Sequence, residues 1–231
     1  MTEDLTGLGR RVSKDARDHE YLIPKRSTAA ATWTSRYWAA AGGVLDQGAT
    51  SQCVAYSGVK YLQAAPVMNK QLGAADCPKL YKDCQRIDEW PGENYDGTSV
   101  RALFKVLKSL GYVSEYRWAF DAETIVNHVL LTGPVVMGTV WTLDMFMPRK
   151  RNYYITPTGP DQGGHAWLII GANRKKENPA DAGGGYGAVR MINSWGAGWG
   201  DKGRAWISFR DLDKLIKADG EACVAKEVLK K

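Results

Sequence analysis

The sequence predicts an α+β fold in which a helical first half is followed by antiparallel strands. Between residues 53 and 131 apolar side chains recur at helical spacing, whereas beyond Pro134 they form short runs separated by glycine-rich turns. The chain has 231 residues, of which 44% are hydrophobic, so it can bury the core of one large domain or of two packed lobes. Because helices precede strands and do not alternate with them, the two kinds of element are expected to form separate lobes.

The first 28 residues differ from the rest of the chain in their pattern. They are rich in charge and have no regular apolar spacing, so residues 1–28 are predicted to be an N-terminal extension and residues 29–231 the folded domain. An ordinary surface arm is favoured, although Lys25-Arg26-Ser27 could be a processing site.

Three helices are predicted in the first lobe, at about residues 50–131. Residues 54–63 carry apolar side chains at helical spacing. A second helix begins after Thr98 or Ser99, either of which can cap it, and ends at Gly111. A shorter helix covers residues 121–131, before a Gly-Pro break.

The second lobe, at about residues 132–231, is predicted to be an antiparallel β-barrel-like unit. Its apolar runs are short and lie between glycine-rich turns, as is typical of strands. The predicted strands cover residues 135–140, 166–170, 188–192 and 204–209.

The charge pattern and the hydropathy argue against two classes of partner. The net charge of +6 is spread over short basic pairs and triplets, which is more typical of solvated loops than of a nucleic-acid-binding stripe. The most apolar stretch, residues 129–143, is interrupted by Gly133-Pro134 and is shorter than the about 18 residues of a membrane span. We therefore expect neither a nucleic-acid partner nor a membrane.

The start of the chain and its few cysteines predict a cytoplasmic location. Residues 1–13 are polar and charged, without the apolar centre of a signal peptide. Four cysteines, Cys53, Cys77, Cys84 and Cys223, are few for a secreted protein of this size. Cys84 is predicted to be a buried free thiol and Cys77 to lie in a loop, while release by a non-classical route stays open.

Cys53, at the start of the first predicted helix, is the strongest candidate for a nucleophile. The unpaired N–H groups and the positive dipole end of a helix stabilise a thiolate over a thiol. Gln47 precedes it by six positions, and its side-chain amide could form an oxyanion hole with the backbone N–H of Cys53. His165, in Gly-Gly-His-Ala-Trp, and Asn193, in Asn-Ser-Trp-Gly, supply a base and a residue that could orient it. Each residue alone is more often structural, but their joint presence with Trp195 favours a catalytic site.

These three segments together resemble the papain family of cysteine peptidases. The order Gln–Cys, then His, then Asn-Ser-Trp-Gly runs from about residue 33 to residue 209, which is most of the chain. The resemblance implies that Cys53 is the nucleophile, Gln47 the oxyanion-hole glutamine, His165 the general base and Asn193 its orienting partner. It also implies that Trp195 shields the hydrogen bond between His165 and Asn193.

The same resemblance implies the outline of a substrate cleft. It places four residues along a bound polypeptide: Asp96, Gly97, Gly164 and Trp195. Val135, Val136 and Gly164 are candidates for the pocket that takes the side chain two positions before the cleaved bond. The resemblance implies no cofactor and no metal.

The chain also departs from the family pattern. Val54 follows the nucleophile where the family usually has tryptophan, and Thr50 stands where it usually has a disulfide cysteine. His165 follows Cys53 after fewer residues than the roughly 130 expected. Shorter loops in the second lobe would explain this spacing.

The sequence predicts a cysteine endopeptidase that acts on polypeptides through a thioester acyl-enzyme. A thiol amidase or peptidoglycan hydrolase is an alternative, but Gln47 and the Asn-Ser-Trp-Gly run fit papain better. A catalytically silent binding domain is a second alternative, and the presence of Cys53, His165 and Asn193 argues against it. Members of the papain family commonly carry an inhibitory prosegment, usually much longer than residues 1–28.

Overall fold

The computed structural model describes residues 7–24, 33–178 and 186–229. Within these ranges it contains five α-helices: α1 (Cys53–Gln63), α2 (Cys77–Gln85), α3 (Val100–Ser109), α4 (Ala122–Leu131) and α5 (Phe209–Lys217). The seven described strands are β1 (Ser35–Tyr37), β2 (Tyr116–Ala119), β3 (Val135–Thr142), β4 (Asp161–Glu177), β5 (Tyr186–Ile192), β6 (Arg204–Ser208) and β7 (Glu221–Ala225). None of the described helices is long and apolar enough to cross a membrane. The Lys25-Arg26-Ser27 segment lies outside the described residues.

The predicted helix starts are confirmed at the residues that cap them. The side chain of Ser99 accepts a hydrogen bond from the amide of Ala102 and begins α3, while Asp121 caps α4 in the same way through the amide of Thr124. Each cap satisfies a backbone N–H that has no partner within its helix.

The sequence suggested that Cys77 lies in a loop, but in the structure this residue begins α2. Pro78 stands in the first turn of this helix, where its missing N–H removes no hydrogen bond and its fixed φ suits the helix. Cys77 and Cys84 are both buried on this helix. All four cysteines are buried and free, which confirms the prediction for Cys84.

The seven strands form an antiparallel sheet that is open and not closed into a barrel. Six of them follow the order β2-β7-β3-β4-β5-β6, and β1 pairs with the far end of β4. The predicted antiparallel strands are therefore confirmed, but their barrel-like closure is wrong for the residues described. Strand β4 has 17 residues, and shifts of its register against β5 bend it. The sheet stays open because the described strands β6 and β2, at its two edges, do not pair with each other.

Helices cover both faces of the sheet and form two separate cores. Side chains of α1, α2 and α3 pack with Val136 on one face, whereas α4 and α5 pack with Val135 and Met137 on the other. Successive residues of a strand point to opposite faces, which explains why these neighbours belong to different cores. The N-terminal end of α1 meets β4 where the first face reaches the cleft.

Candidate active site

Cys53 is the first residue of α1 and is fully buried. The amide of Ala166 on β4 donates a hydrogen bond to its sulfur over 3.4 Å. Burial raises the pKa of the Cys53 thiol to about 12, while hydrogen bonds from the amides of Ala166 and Val54 pull it down by less. In this covered form the thiol is therefore neutral, because desolvation outweighs the stabilisation of a thiolate at a helix N-terminus.

His165, the residue before Ala166, is held by Asn193. Its Nε2 lies 2.7 Å from Asn193 Oδ1, and that oxygen also accepts the amide N–H of Ser194 at 2.8 Å. Because Oδ1 is an acceptor, Nε2 carries the proton in the neutral ring. Nδ1 is buried and has no hydrogen-bond partner among the described residues. The free lone pair of the ring is therefore on the nitrogen that Asn193 does not hold.

An aromatic cluster encloses His165 and its hydrogen bond to Asn193. The rings of Trp195 and Trp141 each lie with their centroids 4.7 Å from the imidazole, and Phe146 stacks on Trp195 at 5.2 Å. Burial lowers the pKa of His165 to about 4, and the hydrogen bond to Asn193 opposes this only in part. The imidazole is neutral in this form.

Gln47 is buried beside the same segment. Ser194 Oγ donates to Gln47 Oε1 at 2.6 Å, which leaves the Nε2 group of Gln47 as the donor. This nitrogen donates to the carbonyl oxygen of Gly7 at 3.0 Å and to that of Thr50 at 2.5 Å. The side-chain amide of Gln47 thus already holds one backbone carbonyl from another part of the chain.

Residues 7–24, which we call the arm, supply that carbonyl, and residues 7–11 of the arm lie against Gln47, Thr98 and Gly164. The amides of Gly9 and Arg10 both donate to the carbonyl oxygen of Gly164 at 2.9 Å. Thr98 donates to Gly9 and accepts from Arg11, each at 2.9 Å, so that Arg10 is paired in parallel with Thr98. These backbone hydrogen bonds place residues 9–11 between Gly164 and Thr98.

Of the four residues expected along a bound polypeptide, three contact the arm closely. A Cβ atom at Gly164 would lie 2.0 Å from the carbonyl oxygen of Arg10, and one at Gly97 would lie 2.3 Å from that of Gly9. Only glycine permits such a close backbone approach. Trp195 Nε1 lies 3.4 Å from the carbonyl oxygen of Gly7. Asp96 is exposed and is not brought to the arm by any described hydrogen bond.

Three arginines anchor the arm on the side away from Gly7. Arg10 pairs with the buried Glu221, and Arg101 of the body forms a buried ion pair with Asp18 of the arm. The guanidinium of Arg11 lies 4.4 Å above the ring of Trp90 and 4.5 Å above that of Tyr95. These contacts join the arm to both lobes.

The sequence missed several residues of this region. Ser194 appeared only as part of a motif, yet it sets the orientation of Gln47. Glu221 gave no signal, since it is one glutamate in a stretch without a recognisable pattern. The proposed pocket residues Val135 and Val136 are fully buried in the two cores, while Gly138 faces Arg10 instead.

No metal-binding arrangement is found among the residues that the structure describes, since no three His, Cys, Asp or Glu side chains converge there. The named residues of the cleft offer a thiol, an imidazole and two amide side chains. These groups suit nucleophilic and acid–base chemistry at a carbonyl.

The sequence of the chain was compared with protein-family models and with known proteins. No protein-family model matches the chain. Pro-cathepsin H from Bos taurus is 32% identical over 120 residues, and the match covers 50% of this chain but only 32% of that relative.

Solved structures resemble nearly the whole chain. Xylellain, a cysteine protease from Xylella fastidiosa, has a TM-score of 0.70 at 18% identity and covers 99% of this chain and 100% of its own. Procathepsin B from Trypanosoma congolense has a TM-score of 0.65 at 12% identity, with 95% of this chain and 85% of its own covered. Bromelain from Ananas comosus has a TM-score of 0.55 at 13% identity, with 83% and 98% covered. The chain therefore has the α+β fold of the papain-like cysteine proteases, which confirms the resemblance found in its sequence.

Proposed function

We propose that this chain is a cysteine endopeptidase whose active site is formed by Cys53, His165 and Asn193. The observation that carries the proposal is the asymmetry of the His165 ring, with Nε2 held by Asn193 and Nδ1 left as a buried acceptor. The sulfur of Cys53 accepts a hydrogen bond from the backbone N–H of Ala166, the residue after His165, so the thiol and the imidazole belong to the same stretch of β4. Nucleophilic catalysis requires a thiol and a base with a free lone pair, and these two residues supply both.

The reaction then follows from the positions of these groups. Cys53 gives its proton to Nδ1 of His165, and the thiolate adds to the carbonyl carbon of a peptide bond. The Nε2 group of Gln47 and the backbone N–H of Cys53 stabilise the negative charge on the carbonyl oxygen. As the C–N bond breaks, His165 returns the proton to the departing amine and a thioester remains. Water, deprotonated by His165, hydrolyses the thioester and restores the thiol.

The arm supports a polypeptide as substrate. It is itself a polypeptide in the cleft, and its backbone uses the Gly164 carbonyl, both backbone groups of Thr98 and the amide of Gln47. The similarity to cysteine proteases supports the same class of substrate. No contact in the cleft favours the amidase or peptidoglycan hydrolase alternative.

We also propose that the arm acts as an inhibitory prosegment. Its residues Gly7 to Arg10 cover the cleft and occupy the hydrogen-bonding groups that a substrate needs. Burial in this closed form raises the pKa of the thiol and lowers the pKa of the imidazole, which favours the neutral form of both. Displacement of the arm would admit water and let the thiolate–imidazolium pair form.

The test uses the 231-residue protein with a recognition sequence for a site-specific protease inserted after Ser27. The protein is folded with its arm and is then cut at that sequence; we call the product the cut protein. We expect the cut protein to hydrolyse a peptide library and the uncut protein to be much less active. Cys53→Ala should abolish turnover in the cut protein without changing its unfolding temperature. Equal turnover by Cys53→Ala would contradict the proposed nucleophile, and equal activity of cut and uncut protein would contradict the role of the arm.

A cytoplasmic location is likewise a proposal. It is supported by the four cysteines, all of which are free in the structure, because disulfides are rare in reducing compartments. Fractionation of the source cells with an antibody against the chain tests it, and recovery outside the cytoplasm would contradict it.

A further inference from the structure

A buried acidic pocket opens on the cleft beside Gly164. Glu221, the first residue of β7, forms its base, and Gly138 of β3, which pairs with Glu221 across the sheet, forms one wall. The side chain of Arg10 fills this pocket. Its Nε donates to Glu221 Oε2 at 2.9 Å, and its Nη2 donates to the carbonyl oxygen of Asp219 at 2.6 Å. The two charged side chains are only 2% and 6% exposed.

The pocket has room for a long side chain because Gly138 has none. A Cβ atom at this position would lie 2.8 Å from Val100 Cγ2 and 2.9 Å from Arg10 Nε. The acceptors at its end are spread over two groups, a carboxylate and a backbone carbonyl. The planar guanidinium reaches both with separate nitrogens, whereas the single ammonium of lysine cannot match this geometry.

The carboxylate of Glu221 gives the pocket a negative charge that a cationic side chain can balance. Glu221 Oε1 is buried and has no hydrogen-bond partner in the described structure, so the carboxylate is only partly satisfied even with Arg10 in place. When the arm leaves the cleft, Glu221 also loses the guanidinium. An apolar side chain that entered the open pocket would bury this carboxylate without a counter-charge, which is strongly unfavourable, so the pocket favours a new cationic side chain.

Resting on the peptidase function proposed above, we propose that Glu221 makes this pocket selective for arginine, so that substrates place an arginine where the arm places Arg10. The inference adds a substrate class to that function: polypeptides with an arginine at one fixed position beside the cleaved bond. The arm then blocks the cleft with the same side chain that a substrate must bring.

The first experiment measures hydrolysis by the cut protein. A peptide library in which each position near the cleaved bond is varied should show one position where arginine is preferred over leucine. For Glu221→Gln, the ratio of the arginine to the leucine value of kcat/KM should fall by roughly 30-fold, as expected when a buried charge pair loses one partner. Asp213→Asn is the matched control, because it removes one carboxylate from the exposed face of α5, where Asp213 pairs with Lys217. This control should leave the ratio unchanged.

The second experiment measures binding and needs no turnover. It uses cut protein that carries Cys53→Ala and compares the dissociation constants of three matched peptides. The peptides have arginine, citrulline or leucine at the position that prefers arginine in the first experiment. If no peptide is cleaved there, each position is varied in turn. Citrulline has nearly the shape of arginine without its charge. We expect the arginine peptide to bind more tightly than the other two, and Glu221→Gln to abolish the difference.

The outcomes separate this inference from the proposed function. Hydrolysis that does not distinguish arginine from leucine, or a ratio that Glu221→Gln leaves intact, overturns the selectivity and leaves the peptidase standing. Charge-dependent arginine binding without hydrolysis of any peptide supports the pocket and overturns the peptidase. Equal binding of arginine and citrulline peptides, or no peptide binding at all, overturns the inference.

Discussion

At the scale of single residues, the two nitrogens of His165 lie in different environments. Nε2 is tied to Asn193 Oδ1, which the amide of Ser194 identifies as an acceptor, and Nδ1 is left without a partner. An amide at position 193 therefore fixes both the orientation and the tautomer of the ring without adding a charge. A carboxylate there would favour the imidazolium more strongly.

Replacing Cys53 by serine tests whether a thiolate is needed. Cys53→Ser keeps an oxygen nucleophile at the start of α1, but a hydroxyl loses its proton far less readily than a thiol. We expect kcat of the cut protein to fall by orders of magnitude while the unfolding temperature stays close to that of the unchanged protein. Activity near that of the unchanged protein would mean that ionisation of the thiol by His165 is not part of the mechanism.

The pair Gln47 and Ser194 tests the oxyanion hole and its positioning. Gln47→Ala should reduce kcat by about 10² to 10³ with a small change in KM, as for other donors to a developing oxyanion. Ser194→Ala removes the hydrogen bond that orients the Gln47 amide, so we expect a smaller loss of the same kind. Steady-state kinetics of the cut protein separate the two parameters. A rise in KM alone for either variant contradicts these roles.

At the scale of elements, the arm is held by two buried ion pairs in addition to its backbone hydrogen bonds. Arg10, which is also paired with Thr98, binds Glu221, and Asp18 binds Arg101. Removal of one partner of a buried ion pair leaves an uncompensated charge, which costs about 3–5 kcal/mol. Each pair therefore contributes to closure more than an exposed pair of the same length would.

Asp18→Asn should consequently open the arm. It leaves the Arg101 guanidinium buried without its carboxylate, so we expect faster alkylation of Cys53 by iodoacetamide in the uncut protein. Asp15→Asn is the matched control, since Asp15 pairs with the exposed Arg17 and surface pairs contribute little. Peptide mass spectrometry reads each cysteine separately.

The other thiols show whether the arm alone has opened. Cys84 and Cys223 lie in the core, so they become reactive only if the domain itself unfolds. Parallel labelling of all three cysteines in Asp18→Asn would mean that the ion pair stabilises the whole fold and is no specific lock on the arm.

At the scale of the whole molecule, burial of His165 and Cys53 couples the stability of the closed form to pH. The pKa of His165 falls from 6.5 to about 4 in the closed form, so an open or unfolded form binds a proton that the closed form excludes between these values. The contribution of His165 to stability is therefore complete above pH 6.5 and is lost as the pH falls towards 4. The pKa of Cys53 rises from 9.0 to about 12, so its contribution is lost as the pH rises above 9.0.

The unfolding temperature of the uncut protein should therefore decline on the acidic side of pH 6.5. Burial raises the pKa of Glu221, so protonation of this carboxyl stabilises the folded protein as the pH falls and opposes the loss caused by His165. Comparison with His165→Asn isolates the imidazole, because the variant cannot take up this proton. We expect a shallower acidic decline in the variant, and identical slopes would contradict the linkage to His165.

The elements with strong local patterns could be predicted from the sequence, whereas those defined by distant pairing could not. Helices α1, α3 and α4 carry regular apolar spacing or side-chain caps, and both signals are local. Strands β1, β2 and β7 have five residues or fewer and gain their hydrogen bonds from partners far along the chain. Such short strands lack a period long enough to recognise.

The sequence by itself determined which residues the proposed chemistry uses, because Cys53, His165 and Asn193 lie in motifs whose order no single packing requirement explains. Only the tertiary structure decided where the arm lies and which residue closes the pocket. Arg10 and Glu221 are 211 positions apart and become partners because β7 pairs with β3 at Gly138. The pKa of Cys53 was likewise decided by tertiary burial, because desolvation outweighs the local effect of the helix N-terminus.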